Sequence, residues 1–391
     1  MTEVYLVDGA RTPFTKFGGS FAQTGATELG KTSAIEALRR SNVDPLQVNH
    51  VIFGNVIHTE KNASYISRHI GLYSGVPQEV PALTLNRLCG SGLQAVVSAA
   101  QHILVGDANI VLAGGAENMS QSPYSTFTQR FAGAKMGNLS FNDMLLETLT
   151  DQYTGSGMGL TAEKLAEMYE ITREEQDAFA VESNLRAVKA AAAFQEEIVA
   201  VEVKTRKGSL IVREDEQIKP DANMESLSKL KPSFKKDGTV TAGNASGIND
   251  GAVSLVAAGK QAVQKNNLKP IARIVSWAVS GVDPSIMGIG PVPAIQQALD
   301  RAKLSLDDMD VIEVNEAFAA QYLAVEKALG LDREKTNVNG GAIALGHPVG
   351  ASGARVLLSA AYELRRKNAR FAVVSLCIGG GQGIAMVIEN V

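Results

Sequence analysis

Apolar runs alternate with helical patterns along most of the first third of the chain. Short apolar runs bounded by glycine indicate buried strands, and apolar residues recurring every three or four positions indicate helices. Strands are predicted within VYLVDGAR, HVIFGNVI, ALTLNRL and NIVLAGGAE, and helices near residues 28–40, 63–73 and 92–105. Strands that alternate with helices are typical of β-α units around a mainly parallel sheet. The pattern therefore predicts an α/β fold.

The last third of the chain repeats this order of elements. Strands are predicted within ARIVSWAV, DVIEVNEA, TNVNGG and FAVVSLCIGGG, and helices near residues 292–303, 318–329 and 353–366. Short words also match, namely HVIFGNV with DVIEVNE, CGSGLQAV with GASGARVL, and VLAGGAE with VSLCIGGG. Self-similarity of this kind indicates a duplicated half.

One difference between the halves points to an insertion. The second half ends in GGGQGIAMVIEN, a glycine turn into a final strand, whereas the matching GINDGAVSLVAAG of the first half comes only near residue 250. We predict a first half at residues 1–120 plus 248–270, an inserted segment at 121–247, and a second half at 271–391. Because α/β folds keep ligand-binding loops at strand ends, we expect the insertion to cover the active site.

Composition narrows the class of protein. The 391 residues are 45% hydrophobic and 20% charged with a net charge of −4, which predicts a soluble protein of two or three packed units. No basic excess favours a nucleic acid or a membrane as partner. The first residues carry charges where a signal sequence would be apolar, and no later run suggests a membrane span, so we expect a cytoplasmic protein.

The chain has two cysteines, and their spacing predicts neither a disulfide framework nor a metal site. Cys89 lies in LNRLCGSGLQAV, between a predicted strand and a predicted helix. A lone cysteine after an apolar strand is often a core residue. At a helix start, however, unpaired N–H groups lower the pKa of a thiol and can bind an oxyanion, so Cys89 is also a candidate nucleophile.

A nucleophilic thiol needs a base, and five histidines are available. Four lie in ordinary strand, loop or helix contexts and are interpreted as surface or structural residues: His50, His58, His69 and His102. His347 differs because it lies in GGAIALGHPVGASG, before the helix that the repeat matches to the helix after Cys89. If the halves pack about a pseudo-twofold axis, the thiol and the imidazole meet.

Polar residues at two further predicted strand ends converge on the same place. Cys377 ends a strand in SLCIGGGQG, where it is either a core cysteine or a second reactive thiol. Asn315 and Glu316 end another strand in VNEAFAA, where a buried amide could hold a water or a carbonyl oxygen. Two thiols, an imidazole and an amide together suggest acyl-thioester chemistry.

These residues carry a family resemblance. The words NRLCGSGLQA, GGAENMS, GTVTAGNASGINDGA, NEAFAAQ, GGAIALGHPVGASGAR and CIGGGQG resemble the thiolases, and in particular the acetyl-CoA acetyltransferases among them, in family order over essentially the whole chain. The resemblance implies a five-layer αβαβα fold of two βαβαβαββ halves with an inserted loop domain. It also implies a homotetramer built as a dimer of dimers.

The resemblance further implies a role for each candidate. Cys89 would be the acylated nucleophile, His347 the base that activates it, and Cys377 the second acid/base. Asn315 would hold an oxyanion-hole water together with His347, and the N–H groups of Cys89 and Gly379 would form a second oxyanion hole. The implied reaction is the reversible condensation of two acetyl-CoA to acetoacetyl-CoA and CoA; the alternative is a broad-chain-length 3-ketoacyl-CoA thiolase of β-oxidation.

Coenzyme A would be a substrate, and the resemblance implies no metal or organic cofactor. The implied CoA and substrate contacts are Ser246, Lys219, Met158, Ala317, Phe318 and Phe234. Two positions depart from the family: Lys219 stands where an arginine often stacks on adenine, and Gly157 stands where biosynthetic relatives often carry histidine. The inserted segment supplies positive charge for the CoA phosphates at Lys204, Arg206, Lys207, Lys219, Lys231, Lys235 and Lys236.

Three other functions were weighed. GSGLQA matches a dinucleotide-binding pattern, but it opens the third β-α unit and lacks the acidic residue that should follow, so nicotinamide binding is discounted. A carrier-protein condensing synthase would have histidine or nothing at the position of Cys377. A catalytically dead lipid-binding relative would not be expected to retain Cys89, His347, Cys377 and Asn315 together.

Overall fold

The computed structural model describes residues 3–133, 135–205 and 208–391. The first part of the chain contains β1 (Val4–Arg11), β2 (Thr15–Lys16), α1 (Ala26–Ser41), β3 (His50–Gly54), α2 (Ile66–Tyr73), β4 (Ala82–Leu85), α3 (Ser91–Val105) and β5 (Ile110–Asn118). Each strand predicted here is present, and the helix predicted at 63–73 begins instead with a short 3-10 turn, Ala63–Tyr65.

The middle segment contains β6 (Tyr124–Ser125), α4 (Gln129–Ala132), β7 (Asn142–Asp143), α5 (Met144–Thr148), β8 (Thr150–Asp151), β9 (Ser156–Gly157), α6 (Met158–Met168), α7 (Arg173–Lys189), α8 (Ala191–Glu197), β10 (Val201–Thr205), β11 (Gly208–Val212) and α9 (Met224–Ser228). The last part contains β12 (Asn249–Gly259), α10 (Lys260–Lys265), β13 (Ala272–Gly281), α11 (Pro291–Ala302), β14 (Val311–Val314), α12 (Ala319–Leu329), α13 (Ala342–Leu345), α14 (Ser352–Lys367), β15 (Phe371–Ile378) and β16 (Gln382–Glu389).

The long strands form one ten-stranded sheet in the order β14-β15-β16-β13-β1-β12-β5-β3-β4, with β2 beside β12. β1 and β13 pair only over Val4–Leu6, so the sheet consists of two halves joined along a short seam. The expectation of a mainly parallel sheet was wrong, because only the β3–β4, β3–β5 and β14–β15 pairs are parallel. A glycine turn joins β15 to β16, and such a hairpin makes the pair antiparallel.

The first half has the same arrangement with a much longer connection. β5 pairs with β12 in antiparallel register from Asn118 opposite Asp250 onward, and the inserted elements run between these two strands. The predicted domain boundaries, the homotetramer and the cytoplasmic location stay predictions.

Helices occupy three layers around the two half-sheets, which confirms the five-layer αβαβα fold. Helices α3 and α14 share a core with strands of both halves. Helices α1 and α2 pack on the outer face of the first half, and α11 and α12 on that of the second. The run Leu88–Val105 is long and apolar enough to cross a membrane, contrary to expectation, but 56% of it is buried within the fold.

Two glycines at matched positions of the repeat allow α3 and α14 to meet closely. A Cβ at Gly92 would lie 2.7 Å from the Ala354 nitrogen, and a Cβ at Gly353 would lie 2.4 Å from the Leu93 nitrogen. The reciprocal contacts place a pseudo-twofold axis between the two helix starts.

The strand predicted in TNVNGG does not form. Only an isolated bridge joins Thr336 to Ile312. Asn337 adopts a left-handed conformation with φ of 47°, and its amide then bonds the Val314 N–H at 2.9 Å and the Val314 carbonyl at 2.8 Å. The backbone of this segment bonds β14 at Ile312, but at Val314 a side chain takes the hydrogen bonds that an additional strand would have made.

Candidate active site

The turn that presents Cys89 is held by its own polar side chains. Ser91 accepts a hydrogen bond from the Arg87 N–H at 2.8 Å and donates one to the Leu88 carbonyl at 2.7 Å. Asn86 accepts one from the Leu88 N–H at 2.8 Å. Leu88 has a φ of 47°, which costs about 1 kcal/mol or more for a residue with a Cβ. The strained turn places Cys89 immediately before α3.

The environment of the Cys89 thiol combines hydrogen bonding with desolvation. The N–H groups of Cys89 and Gly379 both interact with the sulfur and favour its thiolate. Burial outweighs them and raises the thiol pKa to about 11. The expectation that the helix start lowers this pKa was therefore wrong, because a sequence shows the N–H groups but not the apolar atoms packed around them. Cys89 is a neutral thiol in the resting site.

The loop before α14 presents a neutral imidazole. The His347 N–H donates to Asn249 Oδ1 at 2.9 Å, and Nδ1 lies 2.6 Å from Ser352 Oγ. We assign the ring proton to Nδ1, since the Ser352 hydroxyl can then accept from Nδ1 and donate its own proton to the Pro348 carbonyl at 3.0 Å. Nε2 is buried with no hydrogen-bond partner within the described ranges, and burial lowers the His347 pKa to about 4. An unprotonated, unpartnered Nε2 is the form that a base requires.

Cys377 and Asn315 end neighbouring strands of the second half. Burial, together with the neighbouring Cys89, raises the pKa of Cys377 well above its ordinary value. Asn315 is fully buried, and within the described part of the chain neither polar atom of its amide has a partner. A buried amide without partners is costly and is expected where a ligand or water completes the site.

An apolar cavity begins at Cys89 and continues outward. Its wall is formed by Val56, Leu88, Cys89, Thr148, Leu149, Met158, Val349 and Gly379. Five of these residues also line an adjoining, more polar cavity of about 250 Å³ that extends to Glu147, Asp151 and Gln152. Val349, two residues after His347, thus shares a wall with the nucleophile, and the inserted segment supplies Met158 as expected.

The other predicted substrate contacts fall into one cluster. The Ser246 N–H bonds the Ala317 carbonyl at 3.0 Å, and Ala245 forms a bridge with Phe318. The rings of Phe318 and Phe234 meet edge to face at 5.9 Å. A Cβ at Gly159 would lie 2.3 Å from the Phe234 ring, which places that ring over the start of α6, next to Met158.

The predicted basic residues contribute unequally. Lys219 is exposed, and its backbone N–H is held by Asn184 Oδ1 at 2.9 Å. Lys235 pairs with Glu167, while Lys204, Lys231 and Lys236 are exposed. Arg206 and Lys207 lie outside the described residues. Gln217, two residues before Lys219, packs on Gly247, the residue after Ser246.

Comparison with known proteins agrees with this geometry. Residues 4–261 match the family description "Thiolase, N-terminal domain" and residues 268–390 match "Thiolase, C-terminal domain". The chain belongs to the thiolase family. It is thus an acyltransferase, as the resemblance implied.

Three individual thiolases illustrate the similarity. The crystal structure of human mitochondrial 3-ketoacyl-CoA thiolase in complex with CoA is 51% identical with a TM-score of 0.96 and covers 100% of this chain and 98% of its own. A beta-ketothiolase of Cupriavidus necator is 50% identical over 392 residues, 100% of this chain and 99% of its own. The Bacillus anthracis acetyl-CoA acetyltransferase structure is 44% identical with a TM-score of 0.97, covering 100% and 99%.

Two polar residues of this thiolase were missed by the sequence analysis. Ser352 orients the imidazole through Nδ1, and the repeat could have found it because it matches Ser91. Asn249 bonds the His347 N–H and also donates to Gln217 at 2.9 Å, which links the base to the inserted segment. Asn249 lies within the word GINDGA, but that word does not show its role, because its contacts join segments far apart in the chain.

Proposed function

We propose that this thiolase transfers acyl groups between 3-ketoacyl-CoA and CoA through an acyl-cysteine at Cys89, and that it accepts chains longer than acetoacetyl. The supporting observation is the pair of adjoining cavities at the Cys89 thiol: the apolar one holds about 20 Å³ and the second about 250 Å³, so carbons beyond an acetyl group would extend into the second. The 51% identity to a protein named 3-ketoacyl-CoA thiolase, against 44% to an acetyl-CoA acetyltransferase, favours the same reaction.

Cys89 would attack the 3-keto carbon as its proton moves to His347 Nε2. Since the thiol pKa is about 11 and the imidazole pKa about 4, the resting pair is neutral and the proton must move during the attack. The carbon–carbon bond then breaks, which leaves the acyl group on Cys89 and an acetyl-CoA enolate that takes a proton from Cys377. CoA then attacks the acyl-cysteine as its thiol proton passes to the Cys377 thiolate. The shortened acyl-CoA is released, and the leaving Cys89 thiolate takes back the proton held by His347.

Hydrogen-bond donors are available for both oxyanions. The N–H groups of Cys89 and Gly379 converge near the sulfur, where the carbonyl oxygen of a tetrahedral intermediate would lie. The unpartnered Asn315 amide and His347 could hold a water that binds the enolate oxygen. The thioester itself acidifies the methyl group, so the proposed reaction uses no metal or organic cofactor.

Condensation of two acetyl-CoA to acetoacetyl-CoA is the second candidate. The similarity to the Bacillus anthracis acetyl-CoA acetyltransferase favours it, and so does Met158 in the cavity wall. Gly157 separates the two candidates, because the resemblance places histidine there in biosynthetic thiolases. A Cβ at Gly157 would meet only the Leu149 carbonyl at 3.8 Å, so the structure has room for a side chain beside the cavity.

The experiment is a kcat/KM series for thiolysis, from acetoacetyl-CoA to 3-ketohexadecanoyl-CoA. Burial of two methylenes contributes about 1.6 kcal/mol, so we expect kcat/KM to rise by roughly tenfold with the first added two-carbon unit. Gly157→His should reduce the gain with little change for acetoacetyl-CoA. A steady fall from acetoacetyl-CoA onward would instead support the acetyltransferase.

A further inference from the structure

A buried carboxylate beside the cavity has no role in the proposed chemistry. Glu117 ends β5 and has no exposed surface. Its Oε2 accepts hydrogen bonds from the Val56 N–H at 2.9 Å and the Gly350 N–H at 3.0 Å. Its Oε1 accepts from the Ile57 N–H and Asn55 Nδ2, both at 3.2 Å.

These four donors belong to both halves of the molecule. Val56 and Ile57 follow β3 in the first half, and Val56 lines the Cys89 cavity. Gly350 follows β14 and the His347 loop in the second half, and its neighbour Val349 lines the same cavity. One carboxylate is therefore hydrogen-bonded to a cavity-wall residue of the first half, Val56, and to the residue that follows a cavity-wall residue of the second half, Gly350.

Strand register shows which residue of the second half corresponds to Glu117. In the first half Val51 pairs with Leu112, and in the second the repeat-matched Val311 pairs with Ala372. Counting five residues along β5 and β15 from these pairs reaches Glu117 and Cys377. The same counting matches Asn55, which donates to Glu117, with Asn315 at the end of the matched strand.

The partners of Glu117 and Cys377 also correspond. The repeat aligns Cys89-Gly90-Ser91-Gly92 with Gly350-Ala351-Ser352-Gly353. Cys377 of the second half faces Cys89 of the first, and Glu117 of the first half holds the Gly350 N–H of the second. The pseudo-twofold axis thus relates the pair Cys89 and Cys377 to the pair Gly350 and Glu117. In the second pair a backbone amide and a carboxylate take the places of the two thiols.

We propose that Glu117 is a positioning residue that fixes the His347 loop against the wall of the Cys89 cavity. It touches neither substrate nor a reacting atom. All four neighbouring groups are donors. Burial raises the Glu117 pKa to about 8, and the hydrogen bonds from the backbone N–H groups oppose that shift. A carboxylate accepts from all four donors, whereas a carboxamide would direct its own N–H groups at one of the two pairs. The inference rests on the proposed roles of Cys89 and His347.

Glu117→Gln should lower kcat by roughly tenfold to a hundredfold for the best substrate of the wild-type protein, with KM for CoA changed less than threefold, because misplaced catalytic groups reduce turnover more than binding. Glu197→Gln is the matched control, since Glu197 is equally buried but bonds Arg11 at 2.8 Å and does not line the cavity. It should destabilise the protein without that loss of kcat.

Gly350→Ala approaches the same contact from the other half while keeping the charge. A Cβ there would lie 2.6 Å from Glu117 Oε2 and would push the carboxylate away from the Gly350 N–H. If Glu117 acts through this contact, Gly350→Ala lowers kcat similarly, and the double variant loses little more than either single one. The proposal is overturned by wild-type kcat in a folded Glu117→Gln protein, by additive losses, or by wild-type kcat in Gly350→Ala should Glu117→Gln not fold.

Cys89→Ala tests the proposed function separately, since activity retained in that variant would contradict the acyl-cysteine and not the Glu117 contact.

Discussion

Two helix starts meet at the centre of the molecule, and they differ in what they place at the turn. Before α3 the chain places Cys89, and before α14 the matched residue is Gly350. Each faces the end of a strand from the other half, where Cys377 and Glu117 occupy matched positions. At the first helix start the two facing residues are reactive thiols. At the second, Glu117 accepts a hydrogen bond from the Gly350 N–H.

The difference shows how a duplicated fold can supply both a reactive site and its support. Cys89 and Cys377 have raised pKa values because their surroundings desolvate them, and neither polar atom of the Asn315 amide has a partner among the described residues. On the other side burial likewise raises the pKa of Glu117, to about 8, but its two oxygens accept four hydrogen bonds. Asn55, the counterpart of Asn315, donates to Glu117 and leaves its Oδ1 unpartnered in the described part of the chain. The two sides therefore differ in how many polar groups a ligand or water would still have to complete.

The largest expected effect comes from variants that separate the roles of the two thiols. In Cys377→Ala, acetyl-CoA should still acylate Cys89, detected by peptide mass spectrometry. Exchange of acetyl-CoA methyl protons with deuterated water should fall by about a hundredfold, the range expected for losing a general base. Cys89→Ala is the control, in which the acyl label should vanish. Acetylation of Cys377, or unchanged methyl exchange in Cys377→Ala, would show that the two roles are assigned the wrong way round.

The second effect concerns the charge of the nucleophile in the free enzyme. Only a thiolate reacts with iodoacetamide, and the Cys89 pKa of about 11 lies above the ordinary value. Alkylation of Cys89 should therefore rise by about tenfold per pH unit from neutral pH through pH ~9, without a plateau. His347→Ala should change this profile little, because the His347 pKa of about 4 leaves no resting ion pair to break. A plateau near neutral pH would mean that Cys89 is already ionised.

Much of this site could be predicted from the sequence, because the duplication is visible as matching short sequence motifs in the two halves. The repeat brought Cys89, His347 and Cys377 to strand ends of the two halves. It did not reveal the pKa of Cys89, because that value depends on burial in the folded protein and on a hydrogen bond from the N–H of Gly379, which is distant in the sequence. Glu117 escaped notice because a glutamate at a strand end usually faces water.

The antiparallel pairing within the sheet was not predicted from the sequence, for a related reason. Alternating strands and helices indicate parallel pairs, but the last strand of each half returns beside its predecessor in antiparallel register. The absent strand at Thr336 has a local cause, since the Asn337 amide bonds β14 in its place. Both features depend on contacts that the apolar pattern does not encode.

The smallest expected effect compares the matched serines at the two helix starts. Ser352 accepts the Nδ1 proton of His347, so Ser352→Ala leaves a buried donor unpaired, which costs about 1–3 kcal/mol, and frees the imidazole to place its proton on Nε2. We expect kcat to fall by roughly tenfold, with the methyl exchange and acylation steps both slowed. Ser91→Ala removes the matched hydroxyl, which holds the turn at Leu88 and contacts no ionisable side chain. Ser91→Ala should lower the midpoint of thermal unfolding about as much as Ser352→Ala does, but it should reduce kcat less than Ser352→Ala does. Equal losses of kcat in the two variants would indicate that both serines only brace the backbone, and that the tautomer of His347 is set by another group.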